Sequence, residues 1–126
     1  MVLNSDEGSA DQHPYWYGRV LGIFHANVIY LGEGTTDFSP RRLDFIWVRW
    51  FTIASGGDSL PSGIMDCVQF PPMADDDSFG FLDPADVLRS CHLIPRFSRG
   101  QVHLDSVGLS FWAQDAKDWR VYCVNR

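Results

Sequence analysis

Lysine and glutamate are almost missing from this chain of 126 residues, which has one lysine and two glutamates. Its charge comes instead from fourteen aspartates and nine arginines. Because lysine and glutamate are the usual residues of exposed helix faces, their scarcity argues against a helical protein. Five Trp, nine Phe, four Tyr, eleven Gly and seven Pro favour short strands joined by tight turns. The composition therefore predicts a β-rich fold.

Long apolar runs and paired cysteines are also missing. No run approaches the roughly eighteen apolar residues of a membrane span. The three cysteines, Cys67, Cys91 and Cys123, are odd in number and widely spaced, which argues against a disulfide framework. We therefore expect buried free thiols in a soluble, intracellular protein that has no membrane partner.

No motif for catalysis or for metal binding stands out. The histidines are scattered singly, and Cys91 and His92 point to opposite faces of any strand, so they cannot chelate one zinc ion. The run from Asp75 to Asp77 lacks the ligand spacing of a calcium loop, and we interpret it as a solvated loop. We expect a non-enzymatic protein without metal or cofactor, although an enzyme built from scattered residues stays an alternative.

The acidic balance bears on possible partners. The formal net charge is −6, which disfavours direct binding to nucleic acid and favours a basic protein or peptide. A barrel that contacts DNA is one alternative. It requires four arginines to share one face: Arg41, Arg42, Arg96 and Arg99.

The pattern predicts a mobile acidic lead-in over residues 1–12 and one domain over residues 13–126. Strands are predicted over residues 15–31, 43–53, 66–70, 91–94, 101–107 and 119–124. A short helical turn is predicted near Asp83 to Leu88, with Asp83 as the N-cap and Pro84 at the first position. The expected fold class is all-β, a small, partly open β-barrel of five to seven strands.

The strand over residues 43–53 carries large apolar groups on both faces, so one face must be covered by another part of the domain or by a ligand. Aromatic faces hold a methylated ammonium by cation–π attraction, which a nearby carboxylate strengthens. The candidate pocket consists of three aromatic residues and one acid: Tyr17, Trp47, Trp50 and Asp44.

Three segments resemble the bromo-adjacent homology (BAH) domain. The segment from Tyr17 to Phe24 is similar to that family's opening strand, and Val48-Arg49-Trp50-Phe51 resembles its Val-x-Trp-Phe strand. The segment from Asp86 to Leu93 is similar to its Ile-x-Gly-Lys-Cys-x-Val element. The resemblance covers about residues 15–95. It implies a β-barrel interaction module of chromatin, a nuclear location, and in some members a histone tail as partner. Trp50 falls on a position that walls a methyl-lysine cage in certain members, and Tyr17 lies near another.

The chain also resembles an uncharacterised domain of mushroom-forming fungi, which occurs in or near transposon-derived proteins. The similar segments are His13 to Tyr17, Trp47 to Phe51 and Phe79 to Pro84. The BAH likeness leads us to expect a non-catalytic recognition module for a basic or methylated peptide. The second likeness offers an alternative, a structural interaction domain of a larger transposon-derived protein.

Overall fold

The computed structural model describes residues 1–4, 13–61 and 64–126. Within them the chain forms eight strands and four single-turn 3₁₀ helices, and the described helices include none with the length and apolar character to cross a bilayer. The strands are β1 (Val2–Asn4), β2 (Tyr15–Val28), β3 (Arg41–Trp50), β4 (Thr52–Ile53), β5 (Asp66–Gln69), β6 (Phe79–Leu82), β7 (His92–Pro95) and β8 (Tyr122–Asn125). The 3₁₀ helices are Gly56–Asp58, Asp76–Ser78, Pro84–Asp86 and Phe97–Arg99. The prediction of an all-β fold is confirmed.

The strands form two antiparallel sheets of four, in the orders β1-β2-β3-β6 and β4-β5-β8-β7. The sheets do not close into a complete barrel, as expected for a partly open fold. The strand predicted over residues 43–53 divides at Phe51, whose amide still donates to the Tyr17 carbonyl at 2.9 Å. Thr52 then pairs with Gln69 of β5, so the chain passes from one sheet to the other at this point.

The longest ladder joins β2 to β3, with Gly18 opposite Trp50 at one end and Val28 opposite Arg41 at the other. Its register shifts between Val20 and Gly22, because Leu21 is an extra residue on β2. Such a bulge bends the strand, which agrees with the pair of glycines in this segment. The bend helps to curl the first sheet.

Two apolar clusters fill the interior. The larger one contains five buried residues, namely Val2, Tyr17, Val68, Tyr122 and Val124. The smaller one contains Ala54, Cys67, Val121 and Cys123. Both clusters draw residues from β5 and β8, so these two strands form the centre of the second sheet.

A buried ionic cluster ties the first sheet to the segment that precedes β8. Asp118 is 2 % exposed and accepts hydrogen bonds from Arg19 at 2.6 Å and from Arg49 at 2.5 Å. The Arg49 guanidinium also lies 3.7 Å from the centroid of the Phe70 ring. Buried charges persist in a fold only when they are paired in this way.

Two sequence predictions need correction, one strand is absent from the predictions, and one predicted turn is confirmed. Val2–Asn4, predicted to be mobile, forms β1, because Val2 packs into the core with Tyr17; residues 5–12 lie outside the described part of the chain. Residues 101–107 form turns instead of a strand, apart from one bridge at Gln101. Strand β6 was not predicted. Pro84–Asp86 is a helical turn, and the Asp83 side chain accepts from the Ala85 amide at 2.9 Å.

Candidate functional site

A groove with a volume of about 1000 Å³ lies where β2 begins and β3 passes into β4. The segment that leads into β6 forms its other side. Six aromatic side chains line it: Tyr15, Trp16, Tyr17, Trp50, Phe51 and Phe79. Three consecutive carboxylates, Asp75 to Asp77, also belong to the lining. We call this surface the aromatic groove.

Trp16 and Trp50 form two adjacent walls of the aromatic groove. Their ring centroids are 5.7 Å apart and their planes meet at 82°. Trp16 is 48 % exposed, while Trp50 is half-buried. Trp16 was not among the predicted site residues. Its alternation with the buried Tyr17 on β2 is the signal that could have placed it on the outer face.

Two glycines leave the space that the Trp50 indole occupies. A Cβ atom on Gly80 would lie 2.7 Å from the Trp50 Nε1, and one on Gly18 would lie 3.2 Å from its Cε3. Gly18 is directly opposite Trp50 on β2, and Gly80 lies on β6 on the other side of β3. The two glycines therefore leave room for the indole, which lies against Gly18 of β2 at one end and against Gly80 of β6 at the other.

Tyr17 closes the back of the aromatic groove but is committed to the domain's own structure. It is 2 % exposed, and its hydroxyl donates to Asp66 at 2.5 Å. Burial, reinforced by this hydrogen bond, raises the pKa of Tyr17 well above its ordinary value. Its ring belongs to the core, so Tyr17 supports the wall more than it offers a free face.

Asp66 is held by three partners. Besides Tyr17 it contacts His13 at 3.1 Å and Arg126 at 3.7 Å. Burial alone raises the pKa of Asp66, but the hydrogen bonds from Tyr17 and His13 outweigh it, so the pKa lies below its ordinary value. The ionised carboxylate therefore fixes the orientation of the Tyr17 hydroxyl and of the His13 ring at the edge of the aromatic groove.

Asp44 and Trp47 do not line the aromatic groove. Asp44 shares a face of β3 with Trp50, as predicted, but lies six residues away, which is about 20 Å along an extended strand. It pairs instead with Arg42 at 2.9 Å. Trp47 lies on the opposite face of β3, where its ring is 6.1 Å from Phe79. Of the four predicted site residues, the structure therefore brings only Tyr17 and Trp50 together.

The carboxylates of the aromatic groove come from the run that the sequence suggested was only a solvated loop. Asp75, Asp76 and Asp77 are exposed, and none of them forms an ion pair with a described residue. Asp76 begins the 3₁₀ turn that leads into β6. Pairing of β6 with β3 carries this turn to the Trp50 end of the sheet. The acidic residues beside the aromatic side chains are therefore Asp75 to Asp77, and not Asp44 as the sequence suggested.

Trp47 belongs to a second aromatic surface on the other face of the first sheet. Phe24 stacks on Phe45 with ring centroids 5.6 Å apart, and Phe45 contacts Phe81 edge to face at the same distance. Phe24 and Phe81 are 45 % and 69 % exposed. We call the surface formed by Phe24, Phe45, Trp47 and Phe81 the aromatic strip. Phe79, which is near Trp47 and also lines the aromatic groove, lies at the boundary between the two surfaces.

The four arginines of the DNA alternative do not form a free basic face. Arg41 and Arg42 are successive residues of β3, point to opposite faces, and pair with Asp37 and Asp44. Two others lie at the Phe97–Arg99 turn and bind the Gly56–Asp58 turn, Arg96 through a carbonyl and Arg99 through the Asp58 carboxylate.

The titratable groups of the described residues include no cluster of three or more His, Cys, Asp or Glu side chains that could hold a metal ion. His103 pairs with the buried Asp115 at 3.0 Å. The Asp115 carboxylate also accepts hydrogen bonds from the backbone amides of Leu109 and Ser110. Cys67 and Cys123 are buried, and Cys91 is half-buried.

Comparisons with protein-family models, with curated proteins and with solved structures give no match to this chain. The resemblances to the BAH domain and to the fungal class therefore stay hypotheses.

Proposed function

We propose that this domain is a non-catalytic protein-recognition module that binds a basic or methylated peptide in the aromatic groove. One observation carries the proposal: Trp16 and Trp50 stand at nearly a right angle in the same groove as three carboxylates that pair with no described cation. Aromatic faces together with unpaired carboxylates are the groups that attract a lysine-derived ammonium.

The geometry suits such a ligand in three respects. A cation within about 6 Å of an indole centroid is attracted by the ring quadrupole, and the attraction reaches about 2 kcal/mol in a desolvated site. The groove volume of about 1000 Å³ is at the upper end of ligand pockets, which leaves room for residues that flank the lysine. The carboxylates from Asp75 to Asp77 attract the net positive charge of a basic tail during the encounter.

Isothermal titration with a panel of histone-tail peptides, unmodified and trimethylated at single lysines, tests the proposal. We expect micromolar binding that Trp50→Ala or Trp16→Ala weakens at least about tenfold, because each change removes one wall. The matched control is Trp112→Ala. Trp112 is 69 % exposed and lies outside the aromatic groove, so its removal should leave affinity unchanged.

A second pair of variants tests the role of the acid. Asp76→Asn together with Asp77→Asn should weaken binding, most at low ionic strength, where the charges are least screened. Asp86→Asn is the control, because Asp86 is exposed but does not line the aromatic groove. Unchanged affinity in the two tryptophan variants, with the fold intact by circular dichroism, would reject the groove as the binding site.

The aromatic strip favours a second candidate, a structural interaction domain of a larger protein. Phe24 and Phe81 are exposed and lie beside the half-buried rings of Phe45 and Trp47, and exposed apolar patches of this kind mark sites of protein contact. In this role Phe81→Ser should leave the melting temperature of the isolated domain unchanged. The same change should speed amide hydrogen exchange in β6 when the domain is part of a longer polypeptide. Equal exchange rates in the two contexts would argue against this candidate.

A further inference from the structure

Cys67 and Cys123 lie directly opposite each other on the neighbouring strands β5 and β8, and their Sγ atoms are 3.6 Å apart. Both side chains are almost fully buried, in the small cluster with Ala54 and Val121. Neither the fold nor the proposed function requires two thiols in contact. The pair is therefore a feature that the rest of the account leaves unused.

The backbone geometry at this pair suits a disulfide. The Cys67 carbonyl accepts from the Ala54 amide at 2.8 Å, so its backbone polar groups face β4 and not β8. The Val121 carbonyl accepts a hydrogen bond from the Arg96 amide. Because backbone polar groups alternate sides along a strand, the N–H and C=O groups of Cys123 also face β7 and not β5. The two cysteines thus form a non-hydrogen-bonded pair, in which Cα atoms approach to about 4.5 Å. Disulfides span about 4.4–6.8 Å between Cα atoms, so little backbone movement is needed.

The third cysteine is kept apart. Cys91 packs against the larger cluster around Val2 and Tyr17, while the pair lies in the smaller one. Cys67 is 3 % exposed and lines a groove of about 220 Å³ together with Leu60 and Met65. Burial and the neighbouring Cys67 thiol raise the pKa of Cys123. Of the two cysteines only Cys67 lines this groove, so Cys67 is the one that peroxide meets first.

We propose that Cys67 and Cys123 are an oxidation-sensitive pair that closes to a disulfide when the folded domain meets hydrogen peroxide. The Cys67 sulfur attacks one peroxide oxygen, the O–O bond breaks, and the other oxygen leaves as water with the thiol proton. The Cys123 sulfur then attacks the sulfenic acid on Cys67, the S–O bond breaks, and a second water carries away the Cys123 proton. Two thiols lose two electrons, and one peroxide is reduced to two waters.

Peroxide treatment of the native protein, followed by alkylation, proteolysis and mass spectrometry, tests this inference. We expect one linked pair of peptides, containing Cys67 and Cys123, with Cys91 recovered in its alkylated form. Cys67→Ser and Cys123→Ser should abolish the link, and Cys91→Ser should keep it. In denaturant, where the strands no longer align the thiols, all three pairings should appear.

The oxidised domain should melt at least about 5 °C higher than the reduced one, because the bond closes a long loop, and dithiothreitol should reverse the shift. Recovery of Cys67 and Cys123 as alkylated or sulfinic peptides without a link would overturn the inference. A native-state link that involves Cys91 as often as Cys67 would do the same. Both outcomes are read on the wild-type protein, so they do not depend on whether a serine variant folds.

Discussion

Replacement of Asp118 by asparagine should destabilise the domain more than any other single change of a charge to an amide. Asp118 is 2 % exposed and is the only acid that the described residues offer to Arg49, which is itself 5 % exposed. Arg19 donates to Oδ1 of Asp118 and Arg49 to Oδ2. In Asp118→Asn only one of these two positions stays a hydrogen-bond acceptor, and both arginines lose the opposite charge. An uncompensated positive charge then stays on the buried Arg49, next to the Phe70 ring.

Breaking a buried ion pair by removing one partner costs about 3–5 kcal/mol, because the remaining charge has lost its water without compensation. Domains of this size have a total free energy of unfolding of about 5–15 kcal/mol. A loss of 3 kcal/mol corresponds to a fall in melting temperature of roughly 10 °C. The variant should therefore fold at room temperature with a visibly reduced stability.

Urea unfolding followed by tryptophan fluorescence measures this loss directly. Asp44→Asn is the matched control, because Asp44 pairs with Arg42 on the surface with its side chain 55 % exposed, and such pairs contribute about 1 kcal/mol or less. A loss below about 1 kcal/mol in Asp118→Asn, equal to that of the control, would refute the view that this cluster joins the two parts of the fold.

Three further predictions concern titration and the position of an indole. Burial raises the pKa of Asp115, but hydrogen bonds from the Leu109 and Ser110 amides and other donors hold it below the ordinary value. The stabilisation that ionised Asp115 gives the fold is therefore present above about pH 4 and is lost as the pH falls below that value. Urea midpoints at about pH 7 and pH 3 should differ less in Asp115→Asn than in the wild type, and equal differences would contradict this. Because the pKa of Tyr17 is raised, the absorbance difference between wild type and Tyr17→Phe should show no phenolate near pH 10, and a half-ionised phenol there would contradict its burial. Gly80→Ala should displace the Trp50 indole and weaken peptide binding, and wild-type affinity in this variant would mean that the indole position is unimportant.

The fold class and several elements could be predicted from local sequence. Period-two alternation of large apolar groups marked β2 and β3, and the Asp83-Pro84 pair marked the turn at Pro84–Asp86. These signals act over a few residues, so one sequence contains them. The split at Phe51 was missed, because it depends on Thr52 finding β5 as a partner.

Half of the candidate site could not be predicted from the sequence, because it too depends on pairing between distant strands. Tyr17 and Trp50 were predicted together, and pairing of β2 with β3 does bring them into one groove. The prediction of Asp44 uses the fact that it shares a strand face with Trp50. Residues on one face of a strand can still lie far apart along it, and here the separation is six residues. The run from Asp75 to Asp77 is close to Trp50 through β6, whose register with β3 no local pattern revealed.

The central claim, that the aromatic groove binds a lysine-derived cation, is tested most directly by nuclear magnetic resonance of the indole Nε1–H groups. The chain has five tryptophans and hence five such signals, each of which can be assigned by single replacement. On titration with a trimethyl-lysine peptide, the account predicts that the signals of Trp16 and Trp50 shift together and saturate, while that of Trp112 stays in place. Unmoved Trp16 and Trp50 signals, or shifts confined to Trp47 on the aromatic strip, would contradict it.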